Sequence, residues 1–244
     1  MNEFDQTYLD TTERREDEPT ATGRQGVSPA VIKRLPRYYR YLRELIRQDK
    51  LRISSSELSR MMHVTASQIR QDFNCFGGFG QQGYGYNVKY LYVKISEILG
   101  VNQHFHAVIV GAGNLGRALG RNAMFAKRGV VPTAMFDVDP ALIGTTVGEL
   151  PVLSMEKLEP YLAANPTDIA VLTLPKDCAA EAALRLAKAG VPGLWNFTGR
   201  ELDLTEYHTR IENVHLGDSL MTLCYDLNLM KSEQASGSHD NPNA

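Results

Sequence analysis

The residues with the clearest chemical meaning are three glycines spaced as G-x-G-x-x-G at Gly111, Gly113 and Gly116. They follow the apolar run 107–110 and precede a helix-forming segment. A strand, a tight turn and a helix N-terminus in that order can hold a dinucleotide pyrophosphate. Asp137 ends the next apolar run about 20 residues later, the spacing at which a carboxylate binds ribose hydroxyls. The spacing predicts a nucleotide site.

The expected cofactor is NAD(H) rather than NADP(H). The carboxylate of Asp137 would repel a 2′-phosphate, and the residues that follow it, Val138-Asp139-Pro140, include no arginine to bind one. The predicted contacts are Gly111, Ala112, Gly113, Asn114, Leu115, Gly116 and Asp137. Two alternatives stay open. The glycines could serve only the packing of strand against helix, or the site could bind coenzyme A or another nucleotide.

The segment that must position these residues reads as an alternation of short apolar runs and helical stretches. The apolar runs lie at 107–110, 133–136, 169–174, 193–197 and 211–215. That alternation is typical of an α/β fold with a parallel sheet covered by helices on both faces. A Rossmann-like, doubly wound domain is therefore predicted over residues 101–217.

A second domain is predicted upstream, over residues 27–100. A basic amphipathic helix occupies 32–48, and Ser54-Ser55-Ser56-Glu57 and Thr65-Ala66-Ser67-Gln68 both match the capping box that opens a helix. The three-residue turn between the two short helices is typical of a helix-turn-helix. The glycine-rich, aromatic segment 76–86 predicts a hairpin. Together these elements predict a winged helix-turn-helix.

The charge of residues 27–100 favours a polyanionic partner for this domain. They carry twelve lysines and arginines against five acids, a net charge of +7, whereas residues 101–230 carry −4. The start of the second short helix should reach base edges through Ser67, Gln68, Arg70 and Gln71. Contacts to the DNA backbone or from the wing are expected from Lys33, Arg34, Arg37, Arg60, Gln82 and Tyr84. The alternative is a solvated basic face without a partner.

The ends and the cysteines add weaker expectations. Residues 1–26 and 231–244 are too polar to bury a core and are predicted to be disordered. Residues 218–230 are apolar nearly all round, so this helix needs burial that a partner subunit could supply. Cys75, Cys178 and Cys224 suit a reduced cytoplasm without disulfides or zinc, and they are expected to be small buried residues rather than thiol sensors. No membrane span, signal peptide or metal site is expected.

The chain resembles the Rex family of redox-sensing transcriptional repressors from about residue 28 to residue 229. The segments that carry the resemblance are Arg34-Leu35-Pro36-Arg37-Tyr38-Tyr39-Arg40, Ser55-Ser56-Glu57-Leu58, Gln68-Ile69-Arg70-Gln71-Asp72-Phe73, Gly83-Tyr84-Gly85-Tyr86-Asn87-Val88, Gly111-Ala112-Gly113-Asn114-Leu115-Gly116, Phe136-Asp137-Val138-Asp139-Pro140, Leu172-Thr173-Leu174-Pro175 and Trp195-Asn196-Phe197. The resemblance implies a homodimer that exchanges C-terminal helices, binds an inverted-repeat operator as two winged helices, and is released when NADH binds.

The resemblance also implies roles for further residues. Thr173, Pro175 and Phe197 are expected to line the nicotinamide pocket. Arg40, Asn122 and His215 match the positions of a network that switches between liganded states, but the family pattern has Tyr and Asp where this chain has Asn122 and His215.

The competing hypothesis is an NAD-dependent dehydrogenase with an accessory basic domain. Hydride transfer to a carbonyl needs a general acid or base, usually His, Lys or Tyr. No histidine has a second acid or base at a spacing that would form a catalytic pair. The predicted Rossmann unit takes up residues 101–217, which leaves no separate substrate domain. The sequence therefore predicts no enzyme and no catalytic residues.

Overall fold

A computed structural model of the chain describes residues 27–77, 80–81 and 84–237. The described residues form two compact units, the first running to His104 and including Ala126–Gly129, and the second comprising the other described residues. The first unit continues past the expected boundary at residue 100. Gly100 ends a helix in the left-handed region, and the amides of Val101 and Gln103 donate back to Ser96 and Gly100. The predicted disordered arm 1–26 lies outside the described residues.

Four helices form the core of the first unit. They are α1 (Pro29–Arg47), α2 (Ser55–Met62), α3 (Ala66–Asn74) and α4 (Val88–Leu99). Their apolar positions recur every three or four residues, so each helix has one buried face. Leu35 and Leu42 of α1, Phe73 of α3, and Leu91 and Ile95 of α4 are all fully buried in one cluster.

The two predicted capping boxes differ in the structure. Ser54 and Glu57 satisfy each other's amides, as predicted, at the start of α2. At the start of α3 the hydroxyl of Thr65 accepts from the amide of Gln68, but the side chain of Gln68 turns elsewhere. The second box is therefore only half formed, because Gln68 has a stronger acceptor within reach.

A small antiparallel sheet accompanies these helices. Its strands are β1 (Arg52–Ile53), β2 (Gly80–Gln81) and β3 (Gly85–Asn87), in the order β1-β3-β2. Gly85 has a φ of +69°, and a Cβ there would lie 2.8 Å from the carbonyl oxygen of Ile53, so only glycine fits. Gln82, predicted to contact DNA, lies outside the described residues.

The second unit contains a seven-stranded sheet. Its strands are β4 (Phe105–Val110), β5 (Val130–Asp137), β6 (Thr146–Val147), β7 (Leu150–Ser154), β8 (Ile169–Leu172), β9 (Gly193–Asn196) and β10 (Arg210–Asn213). The order is β10-β9-β8-β4-β5-β7-β6, and every pair is parallel except β6 with β7. The predicted α/β parallel sheet is confirmed.

Sequence analysis did not predict the β6–β7 edge. These strands are short, and Pro151 interrupts the apolar pattern between Leu150 and Val152. Proline is tolerated at a sheet margin, where fewer backbone amides must pair. The missed pair extends the sheet beyond β5 but leaves the order at its centre unchanged.

Helices cover both faces of the sheet. Val108 and Val110 point into a cluster with α6 (Leu158–Ala164) and α7 (Ala179–Lys188), whereas Ile109 points into the opposite cluster, against which Leu119 of α5 (Asn114–Gly120) packs. Burial on both sides explains why β4 is apolar at every one of its last four positions.

The last helix, α8 (Leu216–Gly237), runs beyond the expected end at residue 230. Residues 231–237, predicted to be disordered, are therefore helical, and residues 238–244 lie outside the described part. Each α8 side chain described, through Glu233, is exposed. No helix in the described ranges has the length and apolar character needed to cross a membrane.

Candidate functional site

Three of the predicted cofactor residues meet at one edge of the large sheet. β4 lies between β5 and β8 in the sheet. The strands that follow β4 first add on the side of β5, whereas β8 and the later strands add on the other side, so the strand order reverses at β4. The carboxyl ends of such strands form a crevice that binds ligands in open α/β sheets. Gly111 follows β4, Asp137 ends β5 and Thr173 follows β8, which places all three at this crevice.

Gly111 and Gly116 make a turn that no other residue could make. Gly111 has a φ of +102°, and a Cβ at Gly116 would lie 1.9 Å from the carbonyl oxygen of Gly111. The hydroxyl of Thr173 donates to that same carbonyl oxygen at 2.8 Å. The packing alternative thus accounts for Gly111 and Gly116, and Thr173 supports the turn from β8.

Packing does not account for Gly113. Its φ is −68°, which any residue adopts, and nothing lies within 4 Å of an added Cβ. No side chain caps the first turn of α5 that begins there. Backbone that carries no side chain and is accessible at a helix N-terminus is the kind of surface that binds a phosphate.

Asp137 links the end of β5 to the glycine turn. Its Oδ2 accepts from the amide of Ala112, and its Oδ1 accepts from the amides of Val138 and Asp139 at 2.8 and 2.9 Å. An ionised carboxylate has about four acceptor positions. One acceptor position is therefore left for a ribose hydroxyl, and the half-buried side chain remains accessible from the crevice. The residues present fit a dinucleotide.

The predicted DNA-reading residues lie on one helix. Ser67, Arg70 and Gln71 are exposed on α3 at spacings of three and four residues, so they share a face. Asn74 continues that exposed face and was missed by sequence reasoning, although the same spacing would have found it. Gln68 is half-buried beside the face rather than on it.

Beside that face lies a buried carboxylate with four hydrogen bonds. Asp72 of α3 is fully buried, and it accepts from Nε and Nη2 of Arg34, both at 2.7 Å, from the hydroxyl of Tyr38 at 2.8 Å and from Nε2 of Gln68 at 2.9 Å. Burial would raise the pKa of Asp72, but these donors outweigh it and lower that pKa. Burial and the bond to Asp72 raise the pKa of Tyr38. We refer to these four residues as the Asp72 cluster.

Several predicted DNA-backbone contacts are engaged within the protein. Arg34 belongs to the Asp72 cluster, and Arg37 donates to the carbonyl of Met62 at the end of α2. Their guanidinium groups tie α1 to its neighbours, and their phosphate contacts stay a prediction. Lys33 and Arg60 are exposed, as is Tyr84 at 72%.

Each of the three expected switch residues has its own surroundings. Arg40 is exposed on α1. Asn122 accepts from the amide of Met124 at 2.9 Å, and Nε2 of His215 lies 3.3 Å from Oε1 of Glu201, just before α8 begins. Their switching role stays a prediction.

The structure also shows where the three cysteines and the side chains that could bind a metal ion lie. Cys75, Cys178 and Cys224 are all exposed, so the expectation that they are small buried residues is wrong. Cys75 and Cys178 lie beside helices whose buried faces point elsewhere, whereas Cys224 lies in α8, whose described side chains are all exposed. Within the described residues, no three His, Cys, Asp or Glu side chains group in a way that could hold a metal ion.

Two family models match the chain, one in each predicted domain. A model described as "Putative DNA-binding protein N-terminus" matches residues 26–74, and one described as "CoA binding domain" matches residues 102–199. The second description echoes the coenzyme A alternative, but it names a domain family that spans only part of this chain.

Full-length relatives match far more of it. Redox-sensing transcriptional repressor Rex from Caldicellulosiruptor bescii is 49% identical over 205 residues, 84% of this chain and 94% of that protein. The Rex protein of Caldanaerobacter subterraneus subsp. tengcongensis is 51% identical over 202 residues, 83% and 90% of the two chains.

Two solved structures of RSP are also similar to this chain over most of its length. RSP in complex with β-NAD+ and operator DNA is 47% identical, with a TM-score of 0.79 over 88% of this chain and 99% of that one. RSP in complex with β-NADH is 45% identical, with a TM-score of 0.80 over 87% and 99%.

Proposed function

This chain belongs to the Rex family of redox-sensing transcriptional repressors, and from that premise we propose how its residues bind DNA and coenzyme. It is a repressor that binds operator DNA and responds to NAD(H). Its relatives are named transcriptional repressors rather than enzymes, which disfavours the dehydrogenase alternative. The proposal concerns which side chains do this work and how copies of the chain assemble.

The observation that carries the proposal is the open backbone of Gly113 beside the carboxylate of Asp137. The pyrophosphate would lie against Gly113 and the first turn of α5, where backbone amides are free of side-chain caps. Asp137 would accept from ribose hydroxyls while its bond to the amide of Ala112 keeps it at the turn. A 2′-phosphate there would meet a negative charge, so NAD(H) is favoured over NADP(H).

Discrimination between the redox states follows from charge. Oxidised nicotinamide is cationic and the reduced ring is neutral, so an apolar pocket disfavours the oxidised form through desolvation. Phe197 follows β9 at the same sheet edge, and its ring packs 4.5 Å from that of Trp195, centroid to centroid. Phe197, Thr173 and exposed Pro175 are our candidates for the nicotinamide side of the crevice.

The DNA-contact surface is the exposed face of α3 with the basic side chains near it. Ser67, Arg70, Gln71 and Asn74 would enter the major groove, because an exposed helix face of this length fits it. Lys33 and Arg60 would contact phosphates, and Tyr84 would approach the backbone from the wing. A repressor must reach its operator DNA inside the cell. We therefore propose that the protein is located in the cytoplasm.

We assign α8 to a homodimer interface formed by helix exchange. Leu220, Leu223 and Leu227 are 60%, 52% and 47% exposed, and the other apolar side chains described on this helix, through residue 233, are exposed as well. Such a surface on a lone helix is unfavourable in water and is the usual mark of an interface between subunits. A second copy offers an identical helix, and two copies would present two reading helices to an inverted repeat.

The decisive experiment is an operator titration at several NADH to NAD+ ratios. Affinity for operator duplex should fall as the NADH fraction rises and recover with NAD+, because only a ligand that prefers one conformation shifts the balance. Gly113→Ala should bind operator without this response. Affinity that is indifferent to NADH in the unaltered protein would exclude the sensing role, and turnover of NADH with small aldehydes would restore the dehydrogenase alternative.

A further inference from the structure

The side chain of Gln68 has its orientation imposed by Asp72. The carboxylate is fully buried and ionised, with its pKa held below the ordinary value. An ionised carboxylate can only accept hydrogen bonds, so the amide of Gln68 must turn its NH₂ group towards Oδ1 and cannot present its oxygen there. The 2.9 Å bond therefore selects one of the two amide orientations.

Asp72 is itself held from three directions. Arg34 donates twice and Tyr38 once, both from α1, while Gln68 donates from the preceding turn of α3. Oδ1 receives Gln68 and Nη2 of Arg34, and Oδ2 receives Tyr38 and Nε of Arg34. Every acceptor position is taken by a donor, so the carboxylate has no freedom to rotate away from Gln68.

What this leaves on Gln68 is a defined pair of groups. One N–H of the amide is bound to Asp72, and the other N–H and the carbonyl oxygen remain available on a half-buried side chain beside the exposed face of α3. A donor and an acceptor side by side match the N7 and N6 groups of adenine in the major groove. A freely rotating glutamine would instead present either order to a base edge.

We propose that Asp72 is a positioning residue for sequence recognition: it orients the amide of Gln68 so that this side chain reads an adenine in the operator. The inference rests on the proposed DNA-binding function. It assigns sequence recognition to two residues, of which Gln68 contacts the DNA and Asp72, which is fully buried, does not.

The test is selection of preferred sequences from a library of random-sequence DNA duplexes by the full-length protein. The wild-type protein should select an inverted repeat with an adenine position that Gln68→Ala makes degenerate. Asp72→Asn should make the same position degenerate, because the new amide can donate as well as accept and no longer imposes one orientation. Discrimination at that position should fall about 5- to 150-fold in both variants, the range for one paired base contact.

The matched control is Tyr38→Phe. It removes a donor to Oδ2 but leaves the Gln68 bond to Oδ1 in place. This variant should lose stability, and at most lose affinity by the same factor for every sequence, without changing the selected bases. Combining Gln68→Ala with Asp72→Asn should cost no further discrimination than either change alone, since both act on one contact.

If Asp72→Asn does not fold, the side-chain amide of Gln68 in the wild-type protein decides the question by NMR, its signals being assigned by their loss in Gln68→Ala. One proton should show the downfield shift and slow exchange with water of a hydrogen-bonded amide. Two amide protons with the shifts and fast water exchange of a solvated glutamine would overturn the proposal, as would an Asp72→Asn protein that selects the wild-type sequence. A wild-type protein that selects no sequence would instead overturn the proposed function.

Discussion

Arg34 and Asp72 form a bidentate ion pair across 38 positions of sequence, with both nitrogen–oxygen distances at 2.7 Å. The carboxylate is fully buried, whereas the arginine side chain is 27% exposed. The pair joins the N-terminal half of α1 to α3, so the two helices should move together. Losing the cation would leave a buried, unpaired negative charge, which is costly.

Arg34→Ala should therefore destabilise the protein by about 3 kcal/mol, the lower end of the range for breaking a buried pair. Urea unfolding measures it. Arg47→Ala is the matched control, since Arg47 pairs with Glu44 at 3.6 Å in a half-exposed contact and should change stability by less than about 0.5 kcal/mol. Equal losses in the two variants would contradict the structural role of the pair.

Gly113→Ala and Gly116→Ala should fail in opposite ways. A methyl group at Gly113 meets no atom within 4 Å, so stability should change by less than about 1 kcal/mol while NADH binding is lost, because the methyl occupies the phosphate approach. A methyl at Gly116 would lie 1.9 Å from a carbonyl oxygen and should unfold or strongly destabilise the second unit. Thermal unfolding with and without NADH separates the two. A Gly113→Ala protein that NADH still stabilises would contradict the role of Gly113 in binding the pyrophosphate.

Asp137→Asn should weaken NADH binding and narrow its preference over NADPH. The amide lacks the charge that repels a 2′-phosphate, and it accepts ribose hydroxyls less strongly, so a loss of about tenfold for NADH is expected. Isothermal titration with both coenzymes measures this. Asp139→Asn is the control, because the Asp139 side chain is exposed and accepts from the nearby amide of Ala141. Unchanged selectivity in Asp137→Asn would contradict the assignment.

Glu57 makes stability depend on pH in the acid range. Hydrogen bonds from the Lys50 side chain and the Ser54 backbone lower the pKa of Glu57 to about 2. A carboxyl whose folded pKa is depressed adds stability above its ordinary value of 4.5 and loses that contribution as the pH falls towards 2. Glu57→Gln should flatten the decline of the melting temperature over this window, and Lys50→Met should flatten it partly. A wild-type slope in Glu57→Gln would rule this out.

Leu223→Asp should convert a dimer into a monomer. Leu223 lies on the exposed apolar surface of α8, and a charge there would have to be desolvated in the interface. Asn228→Asp adds the same charge on another side of the helix, where the residue is already polar, and should remain dimeric. Sedimentation velocity reports both states. A wild-type monomer at micromolar concentration would oppose the helix-exchange proposal.

The features found from the sequence are those encoded over short distances. The glycine turn, the capping of α2 and the apolar runs of the central strands each depend on residues within one turn or one strand of each other, so local spacing predicts them. The acidic residue at the end of β5, Asp137, was also found, because the length of a β-α-β unit sets its separation from the glycines. The β6–β7 edge was missed because two short strands with a proline carry no such periodicity.

The sequence alone determined that a helix-turn-helix with a basic helix precedes a parallel sheet, and that glycines and an acid lie where strands end. Only the tertiary structure decided that Arg34 pairs with Asp72 instead of facing solvent, and that Gln68 turns away from its helix cap to reach the same carboxylate. The physical reason is that capping and periodicity act between neighbours, whereas the partner of a polar side chain depends on which groups packing brings within 3 Å and removes from water.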